Sequence, residues 1–322
     1  MRVFQLTEYR GPAGLEQADV PAPVPGPDGV LVGVRAIGVN FPDLLLTKGE
    51  YQYRPDLPVV PGCEVAGVVL QAPADSVWTP GDRVAGFVRE GGFAERAVLP
   101  PTSIVPIPDA MDFATAAAMV VNYHTVHFAL VRRGQVRPGE SVLVMGAGGG
   151  IGTAAVQVAL GLGASVVAGV ADEGQTAIAR AAGATEVIVL GPDFARRVRE
   201  LTGGRGVDAV VDPLGDWLFG EALRALAPEG RLLVVGFAAG RIPEVRVNRL
   251  LLRNVSVTGV AFGAFLERAP GLMAEQARSL DRMVADGTVR PRIGARFRFE
   301  DLPEALGRLD RGLVPGKGVV VL

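Results

Sequence analysis

Between residues 141 and 260 the chain alternates short apolar runs with helical patterns six times. The runs fall at 141–146, 165–170, 187–190, 207–212, 231–236 and 255–260. Strands that follow one another through helices must lie parallel, because a parallel pair needs a crossover long enough to return to the same sheet edge. Six such strands make the two mononucleotide-binding halves of a doubly wound sheet. No other feature of the chain restricts its folding as strongly.

The first run leads into Gly146-Ala147-Gly148-Gly149-Gly150-Ile151-Gly152, and a helical pattern follows. Ile151, Ala154, Ala155, Val158, Ala159 and Leu162 recur at the spacing that lays one stripe against a sheet. Ala147-x-Gly149-x-x-Gly152 fits the dinucleotide fingerprint in its alanine-first form. The first residue makes the turn, the second admits the pyrophosphate, and the third lets helix and strand approach. Gly150 and Ile151 then present helix N-terminal N–H groups to phosphate. An acid at the end of the second strand would select NAD through its ribose. Here Val170 takes that place, with Asp172 and Glu173 just beyond. NADPH is therefore the expected cofactor and NADH the alternative, in which Asp172 would bind the ribose.

Residues 1–120 read differently, as short strands (30–37, 65–70, 82–88, 92–99) parted by Pro/Gly turns. This pattern suggests a partly open barrel or sandwich. Beyond 260 a helical segment (267–286), Phe297, Phe299, a short helix at 301–311 and a last strand at 318–322 follow. Six strands already complete the nucleotide domain, so the chain end is expected to return to the first. The expected domains are 1–121 with 290–322, and 122–289.

Net charge is -2, which gives no electrostatic footprint for nucleic acid. One cysteine (Cys63) and two histidines (His124, His127) preclude an internal disulfide and a Cys/His zinc cluster. Lysine occurs only as Lys48 and Lys317. With no apolar run of about 18 residues, a soluble, cytoplasmic protein that binds no membrane is expected.

Several ordered motifs resemble the zinc-free quinone oxidoreductases of the medium-chain dehydrogenase/reductase superfamily, the zeta-crystallin group. They are residues 38–43 (GVNFPD), 49–51 (GEY), 61–67 (PGCEVAG), 80–84 (PGDRV), 147–152, 203–208 (GGRGVD), 235–237 (VGF) and Gly316-Lys317. The resemblance covers essentially the whole chain. It implies an α/β protein with a GroES-like catalytic domain and an inserted Rossmann domain. It also implies no metal, since zinc-dependent relatives place Cys at the position of Asn40 and His at that of Cys63. Asn40, Asp43 and Tyr51 would line the acceptor cleft beside the nicotinamide, although Asn40 and Asp43 also suit capping of the next helix. Thr125, Gly236 and Phe237 would contact the cofactor, and Phe262 the acceptor. Relatives set Lys and Tyr against the 2′-phosphate where this chain has Gln175 and Leu190, which weakens the case for NADPH.

The activity expected is metal-independent hydride transfer from NADPH to a quinone or other conjugated carbonyl. An enoyl-thioester or enone reductase on the same scaffold is the alternative. From another class, a cofactor-binding structural or RNA-associated protein with little turnover is the competing reading. A homodimer is expected through strand 255–260, an apolar, uncharged sheet edge.

Overall fold

The computed structural model describes all of residues 1–322, in two compact units. The first comprises Met1–Val121, Phe265–Ala277 and Pro291–Leu322; the second comprises Asn122–Ala264 and Arg278–Arg290. The breaks fall at 121/122 and 290/291, beside an expectation of 122–289 for the inserted domain. The difference is Phe265–Ala277, which joins the first unit and is tied there by an ion pair between Glu267 and Arg89.

In the second unit a six-stranded, wholly parallel sheet runs in the order Glu186–Val189, Ser165–Val170, Ser141–Met145, Val207–Asp212, Leu226–Val234, Ser256–Gly259. Numbered along the chain this is 3-2-1-4-5-6, the doubly wound order in which ligands bind where the winding reverses. The reversal lies between Ser141–Met145 and Val207–Asp212. Helix Gly150–Gly161 is buried nearly all round, where one apolar stripe was expected. The polar Gln157 fits within this burial because its carboxamide is spent internally. Its Oε1 accepts from the Tyr123 hydroxyl (2.7 Å) and the Arg290 N–H (2.9 Å), and its Nε2 donates to the Arg290 carbonyl (3.0 Å). A polar residue so satisfied tolerates burial.

The first unit is built on a seven-stranded sheet whose hub is the ten-residue strand Val30–Val39. It pairs antiparallel with Glu64–Gln71, Arg96–Leu99 and Lys317–Val321. Its core includes Ile37, Leu44, Val65, Phe93, Leu99 and Leu302. Four further strands, Arg2–Leu6, Leu15–Asp19, Ile104–Pro106 and Ile293–Arg298, were not evident in the sequence. No helix is long and apolar enough to cross a membrane.

Candidate active site

In the second unit the glycine-rich turn follows strand Ser141–Met145 and opens helix Gly150–Gly161. Gly146 adopts φ +65°, a left-handed conformation open to glycine at no steric cost. A Cβ on Gly152 would lie 2.6 Å from the Ala147 Cα and closer still to the Gly146 carbonyl oxygen. Only glycine fits there, so turn and helix meet backbone to backbone. Gly149 is the extended N-cap, and a Cβ on it would meet nothing nearer than 3.5 Å, which leaves room for a ligand. Gln175 sits over Gly148, close enough that a Cβ there would strike its side chain. Asp172 is exposed, two residues past strand Ser165–Val170. Leu190 is buried beneath Gly169 as a core residue of this unit.

Beside the turn, at the end of strand Val207–Asp212, stands a residue that sequence reasoning missed. Asp212 is fully buried, and its Oδ1 accepts from the N–H groups of Leu214 (2.9 Å) and Gly215 (2.8 Å). Its Oδ2 is buried without a hydrogen-bond partner. Burial raises its pKa, against the pull of the two backbone N–H groups. Gly236 and Phe237 pack on this same loop, with the Val235 N–H on the Asp212 carbonyl at 2.8 Å. The loop and the glycine turn touch through Leu214, which lies against Gly146. A backbone cradle, an open helix N-terminus and an unsatisfied buried carboxyl at the reversal point fit a dinucleotide.

Thr125 is buried on helix Val120–His127. Phe262, expected from sequence at the acceptor, is 4% exposed. It stacks on His124 with centroids 6.0 Å apart and tilts against Phe128 at 6.1 Å. Its place is in the interior of the second unit.

The polar centre of the first unit is a cluster of side chains. Asn40 ends strand Val30–Val39 and begins helix Phe41–Lys48. Asp43, at the third helical position, accepts from the Asn40 N–H at 3.0 Å, the return arm of a capping box. The Asn40 side chain is drawn inward instead of capping freely. Its Oδ1 accepts from Lys317 Nζ at 2.5 Å, and its Nδ2 donates to Glu64 Oε2 (3.0 Å), the Gly38 carbonyl (3.1 Å) and Cys63 Sγ (3.6 Å). Lys317 also pairs with Glu64 at 2.5 Å, both side chains being almost wholly buried. The other Glu64 oxygen accepts the Val121 N–H at 2.6 Å. Gly38 makes room for that carboxylate, because a Cβ there would clash with it and with the Ala117 carbonyl. Asn40 is 3% exposed. With its donors and acceptor engaged internally, it has little left to offer a substrate.

Burial pushes Asp43 up to about 6, while the Cys63 thiol and the Lys317 charge pull it down. Burial also pushes the Cys63 thiol well up, reinforced by Asp43 and Glu64. Tyr51 is half-buried against the core, and its hydroxyl is raised by burial, then by Cys63 and Asp43. Glu64 and Lys317 carry the cluster, yet neither was assigned a role from sequence. The scarcity of lysine was the signal available.

This donor set does not suit zinc. An ammonium lies 2.5 Å from both Asn40 Oδ1 and Glu64 Oε2, so a positive charge already occupies the oxygens a cation would seek.

A GroES-like unit joined to a doubly wound nucleotide unit defines a medium-chain dehydrogenase/reductase architecture. Residues 26–109 match the alcohol dehydrogenase GroES-like domain family, and residues 150–278 the zinc-binding dehydrogenase family. Quinone oxidoreductase-like protein 2 of Bos taurus is 36% identical over 324 residues, spanning 100% of this chain and 92% of the relative. Among solved structures, a probable oxidoreductase from Mycobacterium abscessus shares 48% identity at a TM-score of 0.92, covering 100% of this chain and 99% of that one. A mycobacterial protein complexed with NADPH shares 32% identity at 0.94, covering 100% of both. The chain belongs to the quinone oxidoreductase-like group of the medium-chain dehydrogenase/reductase superfamily, a group of NAD(P)H-dependent oxidoreductases.

Proposed function

We propose that the protein transfers a hydride from NADPH to a quinone or another conjugated carbonyl, independently of any metal. The observation that carries this reading is the Lys317 ammonium seated between Glu64 and Asn40, the latter at one of the two positions where zinc-dependent relatives place metal ligands. Without a Lewis acid, a simple ketone lacks the means to stabilise the charge that develops on its oxygen. A conjugated acceptor spreads that charge itself and asks for a hydrogen bond and a proton.

Bound NADPH supplies the hydride. The glycine turn and the N-terminus of helix Gly150–Gly161 hold its pyrophosphate, with Gln175, Asp172, Thr125, Gly236 and Phe237 as further contacts. Asp212 joins them through its unpaired oxygen. Tyr51 offers the acceptor a ring to stack on and a hydroxyl to donate. Asp43, pushed up to about 6 by burial, holds its proton only below that pH. The chain acts as a homodimer through the edge strand Ser256–Gly259, close in sequence to the exposed Leu251 and Leu252.

NADPH oxidation should be followed against quinones, enones, enoyl thioesters and simple ketones, before and after dialysis with EDTA. Turnover with quinones or enones that survives EDTA is expected. Activity confined to simple ketones, or restored only by zinc, would refute the assignment. Light scattering at micromolar concentration should give a dimer, and a monomer would remove the edge pairing.

A further inference from the structure

We propose that Lys317 is a positioning residue for the acceptor site: it locks the Asn40 amide, which directs the Cys63 S–H onto the Asp43 carboxyl. The inference rests on the reading of Asp43 and Tyr51 as acceptor-site groups, and adds to it a residue in a distant part of the chain.

The argument is one of donors and acceptors. An ammonium only donates and an ionised carboxylate only accepts. Lys317 Nζ lies 2.5 Å from both Asn40 Oδ1 and Glu64 Oε2, so the amide oxygen must face the lysine. The amide NH₂ is thereby turned to Glu64 Oε2, the Gly38 carbonyl and Cys63 Sγ. A flipped amide would set NH₂ against ammonium and oxygen against carboxylate, two repulsive contacts in place of two attractive ones. The Cys63 sulfur, receiving an N–H on one side, carries its own hydrogen on another. The group it faces there is the Asp43 carboxyl, whose remaining donor is the Asn40 backbone N–H.

Four side chains thus form a chain of hydrogen bonds with one direction, Lys317 to Asn40 to Cys63 to Asp43. Glu64 anchors its start and carries no step of it. The ionisable groups acting on Asp43 are Cys63, Lys317 and Glu64, and Asp43 in turn acts on Tyr51. Lys317 and the thiol favour the ionised carboxyl; Glu64 and burial oppose it. Losing the lysine therefore raises the pH at which Asp43 gives up its proton.

Cys63 is the protein's sole cysteine, so the infrared S–H stretching band reports this one hydrogen bond without any substrate. In the wild type the band is expected at the frequency of a hydrogen-bonded thiol. Lys317→Met should move it toward that of a free thiol, and Lys317→Arg should keep it in place. The inflection near pH 6 in kcat/KM for quinone reduction should move to higher pH in Lys317→Met. NADPH affinity should stay within about twofold, and Lys317→Arg should rescue the profile. A residue that only stabilised the fold would lower Tm and move neither the band nor the inflection.

Should Lys317→Met fail to fold, Asn40→Ser breaks the same chain while leaving the Lys317–Glu64 pair, and must shift the same band. An unmoved band in whichever variant folds overturns the proposal. A shifted band with an unmoved kcat/KM profile overturns the coupling to turnover. Absence of wild-type turnover with every acceptor defeats the reductase reading instead, while the band still decides the hydrogen-bond chain.

Discussion

The two polar centres of this protein are built in opposite ways. The glycine turn of the nucleotide unit is made of backbone: N–H groups, close-packed Cα atoms and an uncovered helix end. The cluster around Asn40 is made of side chains, and nearly all of it is buried. A backbone site is specified by what must be missing, and a single Cβ is enough to spoil it. A buried side-chain site is specified by what must be present together, and removing one member leaves the others worse than unpaired. The two should therefore fail differently.

The largest effect is expected in the buried cluster. Lys317→Met strands the Glu64 carboxylate and should cost about 3–5 kcal/mol of stability, read by chemical denaturation. Adding Glu64→Gln should recover most of it, since the amide still accepts the Val121 N–H without a charge; a double variant no more stable than the single would break the comparison. Next comes the turn. Gly152→Val should weaken NADPH binding by about 100-fold or more, from an overpacking cost near the top of the usual ~1–3 kcal/mol range. Fluorescence titration checks this, and near-normal affinity would show that the turn has slack. For Tyr51→Phe, loss of one hydrogen bond of roughly 1–3 kcal/mol lowers kcat and kcat/KM together by about 5- to 150-fold. A rise in KM alone would make the hydroxyl a binding group only. The smallest change sharpens cofactor choice. Gln175→Lys should lower the KM for NADPH by about 3- to 10-fold through one exposed charge-assisted contact, and leave NADH unaffected.

The fold was legible wherever its cause is local. Alternating apolar runs and the glycine turn carry their own signatures, so the 3-2-1-4-5-6 sheet was anticipated almost strand for strand. Strand Ile293–Arg298 was not, because its alternation is short and its inner side, Ile293, Ala295 and Phe297, is only half-buried, while its partner Lys317–Val321 supplies the pairing. Asn40 and Asp43 were singled out, and the capping alternative weighed for them describes Asp43 well. What the sequence withheld was the inward turn of the Asn40 amide, since its partners Glu64 and Lys317 come from distant strands. Phe262 misled for a related reason. An aromatic residue announces bulk, and only packing against His124 and Phe128 shows which way the bulk points.

Strand Val30–Val39 has a kinetic consequence. Its partners Glu64–Gln71 and Arg96–Leu99 lie within a short stretch of chain, but Lys317–Val321 must return across nearly all of it, Gly318 meeting Val39. The βαβ units of residues 141–259 close only short loops, and loop-closure entropy penalises the long return most. The nucleotide unit should therefore assemble early, with the sheet of the first unit left open on one side of its central strand. Lys317 enters on that late strand. The Asn40 amide gains its fixed orientation only when the slowest pairing in the molecule is made, so a partly folded chain has its nucleotide unit in place before the buried cluster around Asn40 is complete.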